Sequence, residues 1–208
     1  MRINGCDISS WQGKIDYEKL SKEDIFIMIR AGFSNQIDKQ AVYNLESCEK
    51  YKIPYGIYWA SYAVNANDAL KEAHVCLDLI KNYKPLFPIS FDFEDFSTSC
   101  MINKGIRPTI NKCSEIVETF CEEIEFHNYY VSIYTNLNFY NNYFKRALFN
   151  RFDTWFTKPD EQEPSIKCGM FQYSWTGKLP GISTDVDLNV AYKDYGNIIR
   201  SNNLNIYK

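Results

Sequence analysis

The chain has 208 residues and a formal net charge of −3, with 23 Lys and Arg against 26 Asp and Glu. This slight negative charge, without any Lys/Arg cluster, argues against a nucleic-acid partner. An apolar content of 45% and a moderate charge are typical of a globular protein and argue against disorder. No linker, repeat or low-complexity segment marks a boundary, so we expect one domain over residues 1–208.

The cysteines and histidines are too scattered to indicate a metal site. Seven cysteines occur singly, and the only histidines are His74 and His127. Because no Cys/His constellation has the spacing of a zinc site, we expect no metal and no cofactor. We interpret the cysteines as reduced thiols of a protein made in a cytoplasm. The N-terminus has no apolar segment of a signal peptide, and no apolar run is long enough to insert in a membrane.

Hydrophobic periodicity predicts strands and helices that alternate along the first 150 residues. Strands are predicted at 3–9, 25–32, 54–61, 87–96 and 130–135, and helices after Asp16, at 38–52, from 67 or 68, at 109–128 and at 138–149. Three further strands, at 152–158, 168–174 and 185–191, have only about ten residues between them, which is too short for a helical crossover. This order predicts a closed or nearly closed α/β barrel of five β/α units followed by three strands with little helix.

The segment 87–96, FPISFDFEDF, alternates apolar and polar side chains with the period of a strand. Asp92 and Glu94 then share one face, with Cα atoms about 6.6 Å apart. Because the neighbouring strands look parallel and covered on both sides, this face is expected to point into the barrel or into a cleft. Paired carboxylates in such a place suit general acid/base catalysis, although structural networks also contain perturbed acids.

Function gathers at the C-terminal ends of the strands in a barrel of this type. We expect four carboxylates from three strands to meet there: Asp7, Asp92, Glu94 and Asp187. Polar candidates at the same mouth are Tyr62, Tyr134 and Gln172. Arg30 either pairs with a structural acid or holds the acidic cluster together, and we favour the cluster. The four tryptophans, Trp11, Trp59, Trp155 and Trp175, are interpreted as core or rim residues more readily than as sugar platforms.

Four motifs in this order resemble the lysozymes of glycoside hydrolase family 25, the muramidases of bacteriophages and bacteria. They are D-I-S-x-W-Q-G at 7–13, F-D-F-E-D at 91–95, I-Y-T-N at 133–136 and Q-Y-S-x-T-G-x-L-P-G-I-S-x-D-V-D-L-N at 172–189. The resemblance extends from about Ile3 to Tyr195. It implies an irregular TIM-like barrel and cleavage of the β-1,4 bond between N-acetylmuramic acid and N-acetylglucosamine in peptidoglycan.

The resemblance also implies roles for individual residues. Glu94 would be the general acid, and Asp92 would stabilise the forming cation, orient the substrate's N-acetyl group or activate water. Asp7 and Asp187 would maintain the charge and hydrogen bonds of the site, with Asp185 as the rival of Asp187. The substrate-binding residues would be Tyr62, Tyr134, Trp155, Lys158, Gln172, Asn189 and Arg30.

Two departures from the family pattern and two rival functions stay open at this point. Pro159 stands where the family usually has an aromatic residue, and no cell-wall-binding repeat follows the barrel. The rivals are a chitinase-like, substrate-assisted glycosidase and an inactive glycan-binding barrel. The resemblance implies a monomer whose partner is the peptidoglycan glycan strand. It would be made in the cytoplasm and would act on the wall after release by a holin or by lysis.

Overall fold

The sheet closes on itself at the first strand, β1 (Ile3–Ile8), in the computed structural model, which describes residues 1–205. β1 pairs in parallel with β2 (Phe26–Phe33) and antiparallel with β9 (Val186–Ala191). Between β2 and β9 the barrel continues through β4 (Tyr55–Ala60), β5 (Ile89–Asp92), β6 (Val131–Thr135), β7 (Asp153–Thr157) and β8 (Met170–Gly177). A two-residue strand, β3 (Gln36–Ile37), pairs with the end of β2. The closed barrel predicted from the sequence is therefore confirmed.

The last strand, β9, runs antiparallel to the other strands of the barrel. Adjacent barrel strands are parallel from β1 to β8, whereas β9 is antiparallel to both of its neighbours. The start of β9 therefore lies at the same end of the barrel as the ends of the other strands. Asp187, the second residue of β9, reaches the mouth for this reason.

Helices follow each of the first five barrel strands, as predicted, although the helix directly after β5, at 95–103, was not among those predicted. They are α1 (Tyr17–Leu20), α2 (Ala41–Tyr51), α3 (Ala66–Ile80), α4 (Asp95–Asn103), α5 (Ile110–Phe126), α6 (Leu137–Asn142) and α7 (Arg146–Arg151), with α8 (Tyr195–Ser201) after the barrel. The prediction of one helix over 138–149 was wrong, because α6 and α7 are separate. Lys145 adopts an extended backbone between them, and its N–H donates to Ser114 Oγ on α5 at 2.9 Å.

The predicted strand at 87–96 is shorter in the structure. β5 ends at Asp92, and Glu94 is the N-cap of α4. The hydroxyl of Ser97 accepts the Glu94 N–H at 3.1 Å, which satisfies a backbone donor at the start of the helix. Phe93 is fully buried, so the alternation of apolar side chains continues beyond the strand and concealed its end.

The barrel interior is apolar at its lower end and polar at its mouth. Phe26, Phe87 and Tyr195 pack together at the lower end, where α8 covers the barrel. The polar face of β5 points inward, as expected, and Ser90 Oγ lies 2.5 Å from Ser132 Oγ on β6. No helix within residues 1–205 is long and apolar enough to cross a membrane.

Candidate active site

Four carboxylates line one cleft at the mouth of the barrel. They come from the end of β1, the end of β5, the cap of α4 and the start of β9. The cleft has a volume of about 260 Å³ and is lined by Asp7, Tyr58, Asp92, Glu94, Tyr134, Trp155, Gln172, Trp175 and Asp187. No group of three or more Cys, His, Asp or Glu within residues 1–205 has an arrangement that would hold a metal ion. The convergence of these acids is the arrangement that the sequence predicted.

Asp7 is held by two amides of neighbouring strands. Asn189 Nδ2 and Gln172 Nε2 donate to its Oδ2 at 2.7 and 2.8 Å, and Gln172 Nε2 also lies 3.3 Å from Asp187 Oδ2. Burial raises the pKa of Asp7 to about 6, and the two amide hydrogen bonds oppose that rise. Burial, the charge of Asp7 and a hydrogen bond with Asp7 raise the pKa of Asp187 to about 8. At neutral pH the pair therefore favours one shared proton, with Asp187 as its main carrier.

Glu94 is placed by the turn between β5 and α4. Asn136, which follows β6, donates from Nδ2 to Glu94 Oε1 at 3.1 Å. Burial raises the pKa of Glu94 to about 7, and the hydrogen bond from Asn136 opposes it, while the charges of Asp95 and Asp7 add to the rise. A carboxyl group with this pKa holds a proton for part of the time at neutral pH, as a general acid must.

Asp92 is the most isolated acid of the four. It is 9% exposed, and its Oδ1 is buried without a hydrogen-bond partner among the described residues. Burial raises its pKa well above the usual range, the charges of Glu94 and Asp7 add to this, and the charge of Arg30 opposes it. Burial of Asp92 thus favours its protonated form, and an ionised Asp92 requires a hydrogen-bond donor.

Three aromatic side chains and one amide form the wall of the cleft. Trp155 is buried, with its ring edge-on to Tyr58 and Tyr134 at centroid distances of 5.8 and 4.7 Å. Gln172 is 2% exposed, and its Oε1 accepts hydrogen bonds from Tyr134 Oη at 2.7 Å and from Thr157 Oγ1 at 2.7 Å. Tyr134 and Gln172, expected at the mouth, and Trp155, a binding residue implied by the resemblance, all line the cleft, and their contact with a sugar stays a prediction.

The other predicted binding residues lie outside the cleft surface. Asn189 is fully buried behind it and accepts a hydrogen bond from Trp155 Nε1 at 2.8 Å, so it positions Asp7 and Trp155. Tyr62 packs its half-exposed ring on Phe96, at a centroid distance of 5.2 Å. Lys158 forms an ion pair with Glu161 at 2.7 Å.

The favoured interpretation of Arg30 requires correction. Its Nη2 lies 2.7 Å from Oδ2 of Asp38, and it also donates to Ser10 Oγ at 3.2 Å. Asp38 has a fully buried side chain, and its Oδ2 also accepts the Ser10 N–H at 3.1 Å. Arg30 therefore pairs with a structural acid, and it acts on the acidic cluster only through its long-range charge on Asp92.

Three residues at the site were not predicted. Tyr58 lines the cleft from β4, Asn136 contacts Glu94, and Trp175 lines the cleft from β8. Tyr58 had a usable signal, because it alternates with the apolar Ile57 and Trp59 in the strand predicted at 54–61. Asn136 stands within the I-Y-T-N motif, where its amide gave no sign of its partner.

Comparison of this chain with known protein families and solved structures agrees with this geometry. The profile of glycosyl hydrolases family 25 matches residues 6–182, which include Asp7, Asp92 and Glu94. Asp187 lies beyond the matched range, so its place in the site rests on the structure. No curated protein sequence matches the chain.

Several solved structures share the fold. The modular autolysin LytC of Streptococcus pneumoniae, solved with a synthetic peptidoglycan ligand, has a TM-score of 0.82 and 23% identity over 92% of this chain and 47% of its own. This chain thus spans about half the length of that autolysin. A family 25 glycosyl hydrolase of Bacillus anthracis has a TM-score of 0.79 and 25% identity over 98% and 93% of the two chains. A bacterial lysozyme of Streptomyces coelicolor has a TM-score of 0.71 and 18% identity, with 92% of both chains covered. The acidic cleft, the irregular barrel and the profile match together show that this chain belongs to glycosyl hydrolases family 25.

Proposed function

We propose that the chain is a muramidase that hydrolyses the β-1,4 bond between N-acetylmuramic acid and N-acetylglucosamine in peptidoglycan. The observation that carries this proposal is the cleft in which four carboxylates with raised pKa values face buried aromatic rings. Membership of family 25 supports a glycosidase, and related structures, a lysozyme and an autolysin solved with a peptidoglycan ligand, support the substrate.

Glu94 is the proposed general acid. Its pKa of about 7 leaves a proton available near neutrality, and the hydrogen bond from Asn136 fixes one carboxyl oxygen. The other oxygen is the one that we expect to protonate the leaving glycosidic oxygen. General acid catalysis of this kind typically contributes about 10²–10⁴ in rate.

Asp92 is the proposed partner of the substrate's N-acetyl group. Asp92 lines the cleft, its buried Oδ1 has no donor among the described residues, and the N–H of an acetamido group on the bound sugar would donate to this carboxyl group from the cleft. That hydrogen bond would lower the pKa of Asp92 and allow it to ionise in the complex. The ionised Asp92 would orient the acetamido oxygen toward the anomeric carbon, while Glu94 protonates the leaving group.

Asp7 and Asp187 complete the charge of the cleft. Asp7 is ionised more readily than Asp187, because two amides donate to it. Its negative charge faces the region in which positive charge develops on the sugar in the transition state. Gln172 and Asn189 keep this carboxylate in place without contacting the reacting atoms.

The proposed partner is the glycan strand of the wall. We propose that the protein acts as a monomer and does not insert in membranes. We propose that it acts on the bacterial wall after release from the cell.

The deciding experiment compares two insoluble polymers. The protein is incubated with purified bacterial walls and with chitin, and new reducing ends are measured. We expect glycan fragments to be released from the walls. After borohydride treatment, the reduced sugar at the end of each fragment should be N-acetylmuramic acid. Release from chitin alone would favour the chitinase-like rival, and glycan binding without any release would favour an inactive barrel.

A further inference from the structure

Trp175 is an exposed tryptophan held in a fixed position at the edge of the acidic cleft. Its side chain lines the cleft although the residue is 54% exposed. Its Nε1 donates to Gln172 Oε1 at 3.0 Å. The indole is therefore anchored at its polar edge, while much of its ring surface remains open to solvent.

This contact depends on an irregularity of β8. In a regular strand, Gln172 and Trp175 would point to opposite faces, since their separation is an odd number of residues. The pairing of β8 with β9 shifts register twice, between Gln172 and Ser174 and again between Ser174 and Gly177. These shifts bring the two side chains together. Bulges near active sites commonly redirect a side chain in this way.

The contact also fixes the orientation of the Gln172 amide. An indole N–H can only donate, so the amide oxygen must face Trp175. The amide nitrogen must then face Asp7, to which it donates at 2.8 Å. A hydroxyl at Tyr134 or Thr157 could donate or accept, whereas the indole N–H and the Asp7 carboxylate both require this one orientation. Trp175 is therefore linked through one amide to the acid pair.

From this arrangement we infer that Trp175 is a sugar-binding platform of this chain, on which the apolar face of a hexopyranose ring in the cleft stacks. The inference rests on the proposed function, since it assigns the ligand of the same cleft. The position is left open in the family motif Q-Y-S-x-T-G, so the platform would determine the glycan specificity of this particular chain. An aromatic ring fixed before binding loses little conformational entropy when the sugar covers it.

Trp11 is a second exposed tryptophan, to which we assign no sugar-binding role. It is 78% exposed in the turn after β1 and does not line the cleft. Among the described residues, neither Trp11 nor Trp175 stacks on another aromatic ring, so the two differ mainly in the anchor on Gln172 and the place in the cleft. Trp11 therefore provides the matched control.

The test measures binding separately from hydrolysis. All proteins carry Glu94→Gln, so that the ligand stays intact, and they are titrated with a purified tetrasaccharide of alternating N-acetylglucosamine and N-acetylmuramic acid in a calorimeter. The added changes are Trp175→Ala, Trp175→Phe and Trp11→Ala. Circular dichroism checks that each variant is folded.

We expect Trp175→Ala to raise Kd about tenfold, because one indole face covers on the order of 50 Å² of apolar surface. Trp175→Phe should raise Kd less than Trp175→Ala, and Trp11→Ala should leave it unchanged. Equal affinities of the Trp175→Ala and parent proteins would reject the platform, as would an equal loss with Trp11→Ala. A parent protein that binds chitin tetrasaccharide but not the wall tetrasaccharide would reject the proposed substrate. Titration of the same variants with the chitin tetrasaccharide would then test the platform.

Discussion

Asp7 and Asp187 are directly opposite each other in the antiparallel pairing of β1 with β9. Side chains at such positions have Cβ atoms about 4.5–5.5 Å apart, and like charges there destabilise the pair. The amide nitrogen of Gln172 lies within 3.3 Å of a carboxyl oxygen of each residue. Two carboxyl groups this close, with one donor between them, are most stable when they share one proton.

The shared proton predicts different outcomes for two similar substitutions. Asp187→Asn resembles the protonated acid and keeps a donor beside Asp7, so we expect it to retain a measurable lysis rate. Asp7→Asn removes the carboxylate that two amides stabilise, and we expect a loss of at least about tenfold more. The comparison is made by lysis rates on purified walls. Equal loss in the two variants would show that Asp187 is needed in its ionised form.

The general acid gives the sharpest prediction about rate. Glu94→Gln should lower the lysis rate by about a hundredfold or more, since the amide has no proton to transfer to the leaving oxygen. In the unchanged protein, activity should fall as pH rises through about 7, the pKa of Glu94, because the acid form is lost.

Asp95 is the matched control for Glu94. It is the next residue, exposed on the first turn of α4, and its charge contributes to the raised pKa of Glu94. Asp95→Asn should therefore keep most of the activity and move the alkaline limb slightly to lower pH. If Glu94→Gln retained more than a tenth of the rate, Glu94 would not be the acid.

The sequence predicted the barrel because its signals are local. Apolar runs, helix periodicity and short connections after residue 150 each depend on neighbouring residues, and the structure confirms the barrel order. The acids were predicted at one mouth because parallel strands bring their C-terminal ends together. Asp187 arrives there from an antiparallel strand, whose direction the pattern did not specify.

The remaining errors involve contacts that depend on local strand pairing. Arg30 meets Asp38 because β3 folds the chain back along β2, so that the Asp38 N–H donates to the Ala31 carbonyl at 2.9 Å, and this short hairpin was not predicted. Trp175 was interpreted as a core or rim residue, and its strand position gave no hint of Gln172, because the register shifts reverse the expected facing. Phe93 continued the strand pattern past the true end of β5.

A buried acid outside the cleft predicts how stability depends on pH. Glu72 on α3 is 2% exposed and accepts the Tyr62 N–H at 3.0 Å. Burial raises its pKa to about 7, above its value in the unfolded chain, so the folded state binds the proton more tightly. This contribution to stability is present at low pH and is lost as pH rises from about 4.5 through 7.

Glu72→Gln should remove that dependence, because the amide oxygen still accepts the Tyr62 N–H and carries no charge. At pH 8, the free energy of unfolding of the Glu72→Gln protein should exceed that of the unchanged protein by about 3 kcal/mol. Denaturant unfolding at pH 5 and pH 8 measures it, with Glu46→Gln, an exposed site on α2, as control. A constant difference between the two proteins at both pH values would contradict the prediction.

Substitution of Asp92 distinguishes two mechanisms that give the same products. If its carboxylate orients the acetamido group, the acetamido oxygen attacks the anomeric carbon and no glycosyl bond to Asp92 forms. Asp92→Asn should then lose most of the activity, since the neutral amide does not stabilise the positive charge that develops. Added azide should not restore the rate as an inverted glycosyl azide. Mass spectrometry of the protein after rapid mixing with wall tetrasaccharide checks the same point. A sugar attached to Asp92 would make it the nucleophile, and its carboxyl oxygen at the cleft would then be the attacking atom rather than the acceptor of an amide hydrogen bond.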